Sequence, residues 1–285
     1  MHALFSSAMK ILLIGVGGVG CEFLILFEEY CKSLTESTDI FVIDDDIVEE
    51  SNLNRQRLYT AKDIGRPKVE AACESLKQLK LIPLKAKVET IADLEFFSQF
   101  QLVVLAVDNL ETRRWINSAM FQSENRDFFL LDLGVEGFKF SIRSVRRNSA
   151  CLECTMNLYT EEENVEKVPI CSIYGQPRNL KDCVYWSLNK ATDSSDVKSI
   201  YELAKERANE FGIDSTDISY QLIASLMKQT IPAVASVNSL LAAKALEILL
   251  KREEIEANFW LTNLENGIYE FETTIEKNNE CFICN

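Results

Sequence analysis

Histidine is all but missing from the chain: among 285 residues there is one, His2, beside the N-terminus. Ser-His-Asp and Cys-His catalysis are therefore left without a general base, and histidine metal sites without ligands. Positive charge is the second shortage. Thirty lysines and arginines stand against 44 aspartates and glutamates, a formal net charge of −14. That balance argues against nucleic acid as a partner, because phosphates reward cations. It suits simple solubility and, equally, a meeting with basic partners. No run of eighteen or more apolar residues occurs, so no membrane span is expected. Residues 1–10 lack a charged region followed by a long apolar stretch and a cleavage site, and the apolar run 11–14 is too short for a signal peptide. The expectation is an intracellular protein, cytoplasmic or nuclear. Its nine cysteines are then ligands, nucleophiles or core residues before they are disulfides.

Lys10-Ile-Leu-Leu-Ile-Gly15 is an apolar run of strand length that ends at glycine, as a buried parallel strand would. Val19, Phe23, Leu24 and Phe27 recur at helical spacing and predict a helix over 18–32. A second short strand over 40–43 closes on Asp44-Asp-Asp46, giving a unit of the length a parallel crossover requires. A helix over 67–79, a strand over 102–106, a helix over 111–121 and a strand over 128–133 continue the alternation. The fold expected is α/β: a Rossmann-like domain with a mainly parallel sheet and helices on both faces. From 161 the pattern weakens into polar, loop-rich and short helical sequence, which reads as a small, mostly helical insertion. Helical periodicity returns over 218–228 and 234–251, followed by strands over 258–262 and 267–273. The organisation predicted is one α/β domain made of residues 1–160 and 218–285, interrupted by an insertion over 161–217.

Gly15-Val-Gly17-Gly18-Val-Gly20 follows the first strand and opens the first helix. Glycine there allows a tight turn and close backbone approach to phosphates, which the helix N-terminus attracts. A purely structural turn is the alternative. Asp44, ending the second strand, stands where a carboxylate accepts hydrogen bonds from ribose hydroxyls, and to this point NAD serves as well as ATP. Asn52-Leu-Asn-Arg55-Gln56 and Asp63-Ile-Gly-Arg-Pro-Lys68 then place cations soon after the acidic strand end. A triphosphate losing pyrophosphate needs that charge; a dinucleotide needs little of it. Asp108, after the strand 102–106 and before Asn109, is placed like a ligand of hydrated Mg²⁺. A surface salt bridge or helix cap is the rival reading for each of these.

Cys151-Leu-Glu-Cys154 and Cys281-Phe-Ile-Cys284 are two Cys-x-x-Cys pairs, suited together to a closed structural Zn²⁺ site and separately to a redox dithiol. Cys21, Cys31 and Cys73 fall in predicted helices and read as core packing. Adenylation of a carboxylic acid needs no general base, since the carboxylate is already ionised at neutral pH. Catalysis then reduces to neutralising and aligning two anions, the work of Arg55, Lys68 and Mg²⁺. A thiol can attack the acyl adenylate afterwards. Cys171 stands outside both pairs, in the polar insertion, and is the leading nucleophile; Cys183 is second and looks more like an apolar helical position.

Taken together these residues resemble the activating enzymes of ubiquitin-like modifiers, over nearly the whole chain. The resemblance rests on the glycine loop, Asp44-Asp-Asp46, Ser51-Asn-Leu-Asn-Arg-Gln56, Asp63-Ile-Gly-Arg-Pro-Lys68 and Asp108-Asn109. Bacterial adenylating enzymes of the molybdopterin and thiamine pathways share that block and lack a segment like Pro169-Ile-Cys-Ser-Ile173. Within the family the chain is most similar to the catalytic subunits of heterodimeric neddylation-activating enzymes, through Asp132-Leu-Gly-Val-Glu-Gly-Phe-Lys139, Ala150-Cys-Leu-Glu-Cys154, Val168-Pro-Ile-Cys-Ser-Ile173 and Ile231-Pro-Ala-Val-Ala-Ser-Val-Asn238.

The resemblance implies ATP-dependent adenylation of the C-terminal glycine of a Nedd-type ubiquitin-like protein, then a thioester on Cys171 for transfer to a conjugating enzyme. It implies a second, adenylation-like subunit in a heterodimer. Gly15, Gly17, Gly18 and Gly20 would cradle the nucleotide, Asp44 with Asp46 beside it would hold the ribose, and Arg55 and Lys68 the triphosphate. Asn52 and Gln56 would line the same pocket, with Asp108 on Mg²⁺ and Asn109 next to it. Arg143 lies near where such enzymes use a basic residue to reject ubiquitin. Three departures stand out. Ser172 replaces the threonine usual after the catalytic cysteine. No ubiquitin-fold domain follows the second cysteine pair. The N-terminus has no Arg-Gln-Leu-Arg-like segment, so a partner is expected to supply that arginine and this chain to be inactive alone. The alternatives are activation of another ubiquitin-like modifier, a nicotinamide-dependent oxidoreductase on the same scaffold, and a non-catalytic scaffold half.

Overall fold

Strands β1 (Lys10–Ile14) and β4 (Leu102–Leu105) are apolar almost throughout and buried on both faces, as the centre of a parallel sheet demands. The computed structural model describes residues 9–32, 39–91, 93–158, 177, 179–191, 196–227 and 234–285. After β1 come α1 (Gly18–Cys31), β2 (Asp39–Ile43), α2 (Lys68–Ser75), β3 (Lys80–Leu84) and a short α3 (Leu94–Ser98). β4 leads to α4 (Leu110–Gln122), β5 (Phe129–Glu136) and β6 (Lys139–Val145). Three helices follow, α5 (Leu180–Lys190), α6 (Val197–Glu210) and α7 (Tyr220–Met227), before α8 (Ala235–Leu250), β7 (Phe259–Asn263) and β8 (Tyr269–Thr273).

Among the described residues eight strands form one sheet in the order β3-β2-β1-β4-β5-β6-β7-β8. The first five run parallel and the last three antiparallel. Chain order reverses between β1 and β4, and at such a switch the carboxyl ends of the strands open a crevice. Alternate residues of β1 serve opposite faces. Ile11 and Leu13 join a core with Phe23, Phe27, Leu241 and Ile248 of α1 and α8. Leu12 and Ile14 join one with Phe97, Phe100, Ile116 and Met120 of the α3–α4 side. Helices on both faces are thus as the sequence predicts. Among the described residues no helix is long and apolar enough to cross a membrane.

Contacts divide the chain into two compact units. The sheet and its covering helices form one; the other takes residues 49–51 and Glu161–Pro232. Cys183, Val184, Ile200, Ala204, Ile223 and Leu226 make the second unit's own apolar core. That unit runs past 217, because Ile218, Ile223 and Leu226 complete its core rather than the sheet's.

Three elements differ from expectation. The helix predicted over 67–79 stops at Ser75, and the following residues build β3, whose Pro83 reads against a strand. β3 lies at the sheet edge, where a missing N–H donor costs no ladder bond. β6 was not expected either; its pairing to both β5 and β7 supplies what its local pattern does not. The short helical sequence after 161 contains helices of 11 and 14 residues.

Candidate nucleotide site and cysteine cluster

The glycine loop lies at the carboxyl end of β1, beside β4 at the switch point. Gly15 has φ +91°, and a Cβ there would stand 2.5 Å from the Ala106 carbonyl oxygen. A Cβ at Gly20 would meet the Gly15 oxygen at 2.1 Å, and one at Gly18 the Asn238 Nδ2 at 2.3 Å. Gly17 is different: among the described residues a Cβ would meet nothing within 4 Å. Three glycines thus let the turn and α1 pack, while the fourth fronts open space. Gly17 caps α1 without a side-chain bond, so the helix opens on backbone N–H groups suited to an anion.

The Val16 N–H donates to Asp44 Oδ2 at 2.7 Å and the Asp46 N–H to Asp44 Oδ1 at 2.9 Å. Burial holds the Asp44 carboxyl above its usual range, against the pull of Lys68 and of these two N–H groups. Lys68, the first residue of α2, is buried and donates through Nζ to Asp46 Oδ2 at 2.7 Å. Its N–H also donates to the Asp46 carbonyl at 3.0 Å. Glycine loop, Asp44, Asp46 and Lys68 are therefore one hydrogen-bonded group.

Asn52 is fully buried, and its carbonyl accepts the N–H groups of Arg55 at 3.1 Å and Gln56 at 2.9 Å. Arg55 donates to Asn54 Oδ1 at 3.1 Å. Two residues that sequence reasoning passed over pin this segment. Tyr59 Oη donates to the Val16 carbonyl at 2.8 Å. Arg57 forks onto Glu22 through Nε at 2.6 Å and its second nitrogen at 2.5 Å, while Ser239 Oγ of α8 donates to the same carboxylate at 2.6 Å. A glutamate inside the apolar run of α1 was the one available signal. Gln56 is buried with Oε1 unpaired among the described residues. An acceptor awaiting a donor, in the segment that Tyr59 pins to the glycine loop, fits a nucleotide bearing hydroxyl and amino groups.

Asp108 and Asn109 are exposed in the turn after β4. Asn109 Oδ1 accepts from the Thr112 N–H at 2.7 Å, capping α4, so its oxygen serves the helix. Behind the turn, buried Arg113 donates to Asp132 at 2.8 Å and to the Val107 carbonyl at 2.7 Å, holding β4's end against β5. Arg143 corrects its expected role. It is buried on β6 and donates to the Asn258 carbonyl and side chain and to the Ala150 carbonyl at 2.7, 2.8 and 3.1 Å. A guanidinium spent on the interior cannot screen a modifier. Cys183 lies in the core of the helical unit, where burial pushes its thiol up. Cys21 is fully buried, whereas Cys31 and Cys73 are half-buried. Cys171, with all of 168–173, and His2 lie outside the described residues.

The two Cys-x-x-Cys pairs meet at the α3–α4 face. Cys151 Sγ stands 3.9 Å from Cys154, 3.6 Å from Cys281, and Cys154 stands 3.4 Å from Cys284. A tetrahedral site with metal–sulfur bonds of ~2.3 Å separates its sulfurs by about 3.8 Å, so the four thiols are spaced to hold Zn²⁺. The Asn278 N–H donates to Cys154 Sγ at 3.4 Å. Burial resists ionisation of Cys281, yet the N–H groups of Cys284 and Ile283 pull its thiol down to about 7. Four convergent thiols, all free, suit a metal better than one redox pair.

Sheet order, phosphate-type loop and acidic strand end define an α/β nucleotide-binding protein of the Rossmann-like kind. The chain belongs to the ThiF family, whose pattern matches residues 3–283. It is 31% identical to the NEDD8-activating enzyme E1 catalytic subunit of Schizosaccharomyces pombe over 100% of this chain and 71% of that protein. Its identity to the Drosophila melanogaster counterpart is 34%, over 96% of this chain and 66% of the relative. Among solved structures, Escherichia coli MccB with ATP superposes with a TM-score of 0.58 at 14% identity, covering 98% of this chain and 67% of that one. The chain thus spans about two thirds to seven tenths of these three proteins.

Proposed function

We propose that the chain is the adenylating, thiol-bearing subunit of an activating enzyme for a Nedd-type ubiquitin-like protein. The observation that carries the reading is the hydrogen-bonded group of glycine loop, Asp44 and Lys68 at the switch point, in a chain about 30% identical to NEDD8-activating catalytic subunits. Asp44 would take the ribose hydroxyls, with Gln56 Oε1 accepting a second nucleotide donor. The N–H groups opening α1 face the phosphates, and Arg55 and Lys68 neutralise charge that builds on the departing pyrophosphate. Lys68 would exchange its bond to Asp46 for one to phosphate. Mg²⁺ at Asp108 would draw charge from the triphosphate oxygens. The modifier's terminal carboxylate attacks the α-phosphorus and pyrophosphate leaves; the Cys171 thiolate then attacks the acyl carbon and AMP leaves. A conjugating enzyme would receive the thioester, and an adenylation-like partner subunit would complete the active assembly. Zn²⁺ in the four-cysteine cluster would be structural.

The test is a non-reducing gel with Mg-ATP, the partner subunit and the modifier. A thiol-sensitive adduct on this chain supports the reading, and an adduct with ubiquitin alone overturns the Nedd-type specificity. Cys171→Ala should lose the adduct and keep ATP–pyrophosphate exchange; loss of both would misassign the nucleophile. Asp108→Ala should lose both steps, and normal exchange would remove its Mg²⁺ role.

A further inference from the structure

Asn238, in the first turn of α8, is 2% exposed, and its Oδ1 has no hydrogen-bond partner among the described residues. Buried carboxamide oxygens are ordinarily paired, because an unpaired acceptor loses its hydration for nothing in return. Its position is as unusual as its state. The carboxamide rests on Gly18, the first residue of α1, so closely that a Cβ at 18 would lie 2.3 Å from Nδ2 and 3.2 Å from Cγ. The loop forgoes a side chain at 18 to seat an amide whose oxygen is unpaired among the described residues. The seat is also fixed: Ser239, the next residue, donates to Glu22 of α1 at 2.6 Å, and Arg57 holds that carboxylate from the other side. A carboxamide oxygen clamped in place and unpaired among the described residues is prepared for a donor that arrives with a substrate.

The two substrates differ in what they can offer there. Phosphate oxygens gathered by the N–H groups of α1 are acceptors and cannot satisfy another acceptor. The hydroxyl donors of the nucleoside belong at the end of β2, with Asp44. The remaining donor close to the reacting carboxylate is the N–H of the acyl substrate's last peptide bond, one Cα away from the carboxylate carbon. We infer that Asn238 is a substrate-binding residue whose Oδ1 accepts this terminal peptide N–H, so the site selects a peptide C-terminus over a simple carboxylic acid. This rests on the adenylation reading above and adds to it the feature of the acyl substrate that is recognised. A fixed N–H also fixes the terminal Cα, which lies in the same peptide plane and carries the carboxylate.

The experiment replaces the last peptide N–H of the modifier with an ester oxygen by semisynthesis. ATP–pyrophosphate exchange is then measured for amide and ester forms with the assembled enzyme. Wild type should lose about tenfold in kcat/KM with the ester, as expected when a buried acceptor goes unpaired. Asn238→Leu should lose about tenfold on the amide form and then treat amide and ester within twofold. Asn238→Asp retains an acceptor and should keep the preference for the amide; it also decides the matter if Asn238→Leu does not fold. Undiminished discrimination by Asn238→Leu overturns the inference. So does a raised KM for ATP with the amide-to-ester ratio unchanged, which would give the carboxamide to the nucleotide. Absence of exchange by wild type with the amide modifier overturns the adenylation reading, and this inference with it.

Discussion

At the scale of single residues, the four loop glycines separate into two kinds. A methyl group at Gly20 would be driven against backbone at 2.1 Å, where nothing can give way. Gly20→Ala should therefore destabilise the sheet unit by about 1–3 kcal/mol, the usual cost of overpacking, measurable as a lower midpoint in urea. A Cβ at Gly17 meets nothing within 4 Å among the described residues. Gly17→Ala should leave the midpoint within about 0.5 kcal/mol while weakening ATP binding by calorimetry; unchanged affinity would remove Gly17 from the site. Glu22 makes a different prediction. Burial raises its pKa, but Arg57 and Ser239 more than reverse this, so the carboxyl titrates below its usual value. A depressed folded pKa contributes stability that is fully present above the unfolded value, about 4.3, and is lost as pH falls through the folded one. Denaturation midpoints should fall over that acid window, and Glu22→Gln should flatten the fall. An equal slope in the variant would assign it to other carboxylates. Asp44 and Lys68 were legible in the sequence because strand ends and cations announce themselves. Glu22, Arg57 and Asn238 were not, since the partners of Glu22 are 35 and 217 residues away and the Asn238 oxygen has none among the described residues.

At the scale of elements, the cysteine cluster joins the turn after β6 to the segment following β8. Removing Zn²⁺ with a chelator should lower the melting temperature, by roughly 2–4 °C for each kcal/mol the metal contributes. Cys284→Ser should lose metal by mass spectrometry and melt like the chelated protein; a metal-free wild type of unchanged stability would refute the site. Periodicity exposed β1, β2, β4, α1, α4 and α8 because each helix buries a stripe in one sheet core and each strand buries alternate residues in both. It hid β3, where lysine and proline are tolerated only because the strand is an edge. It hid β6 too, whose short alternation of polar and apolar residues gains its meaning from the strands on either side. Arg143 shows the opposite failure: a cation in a strand read as a surface group, while three acceptors from other segments had already closed around it.

At the scale of the whole molecule, two compact units mean two separable losses. Ile200 is fully buried in the helical unit, and Ile200→Ala should cost that unit about 2–4 kcal/mol. ATP–pyrophosphate exchange, which uses the sheet unit, should persist in the assembled enzyme while thioester yield falls. Equal loss of both would show the units to be energetically one. The cysteine cluster has a consequence for the history of each chain. Cys151 and Cys281 lie 130 residues apart, so a growing chain carries the first thiol pair through the addition of more than a hundred further residues before the other pair exists. During that interval the pair can be oxidised or take up a metal it cannot enclose. Newly made chains, rather than finished ones, are then the population that zinc scarcity or an oxidant should deplete.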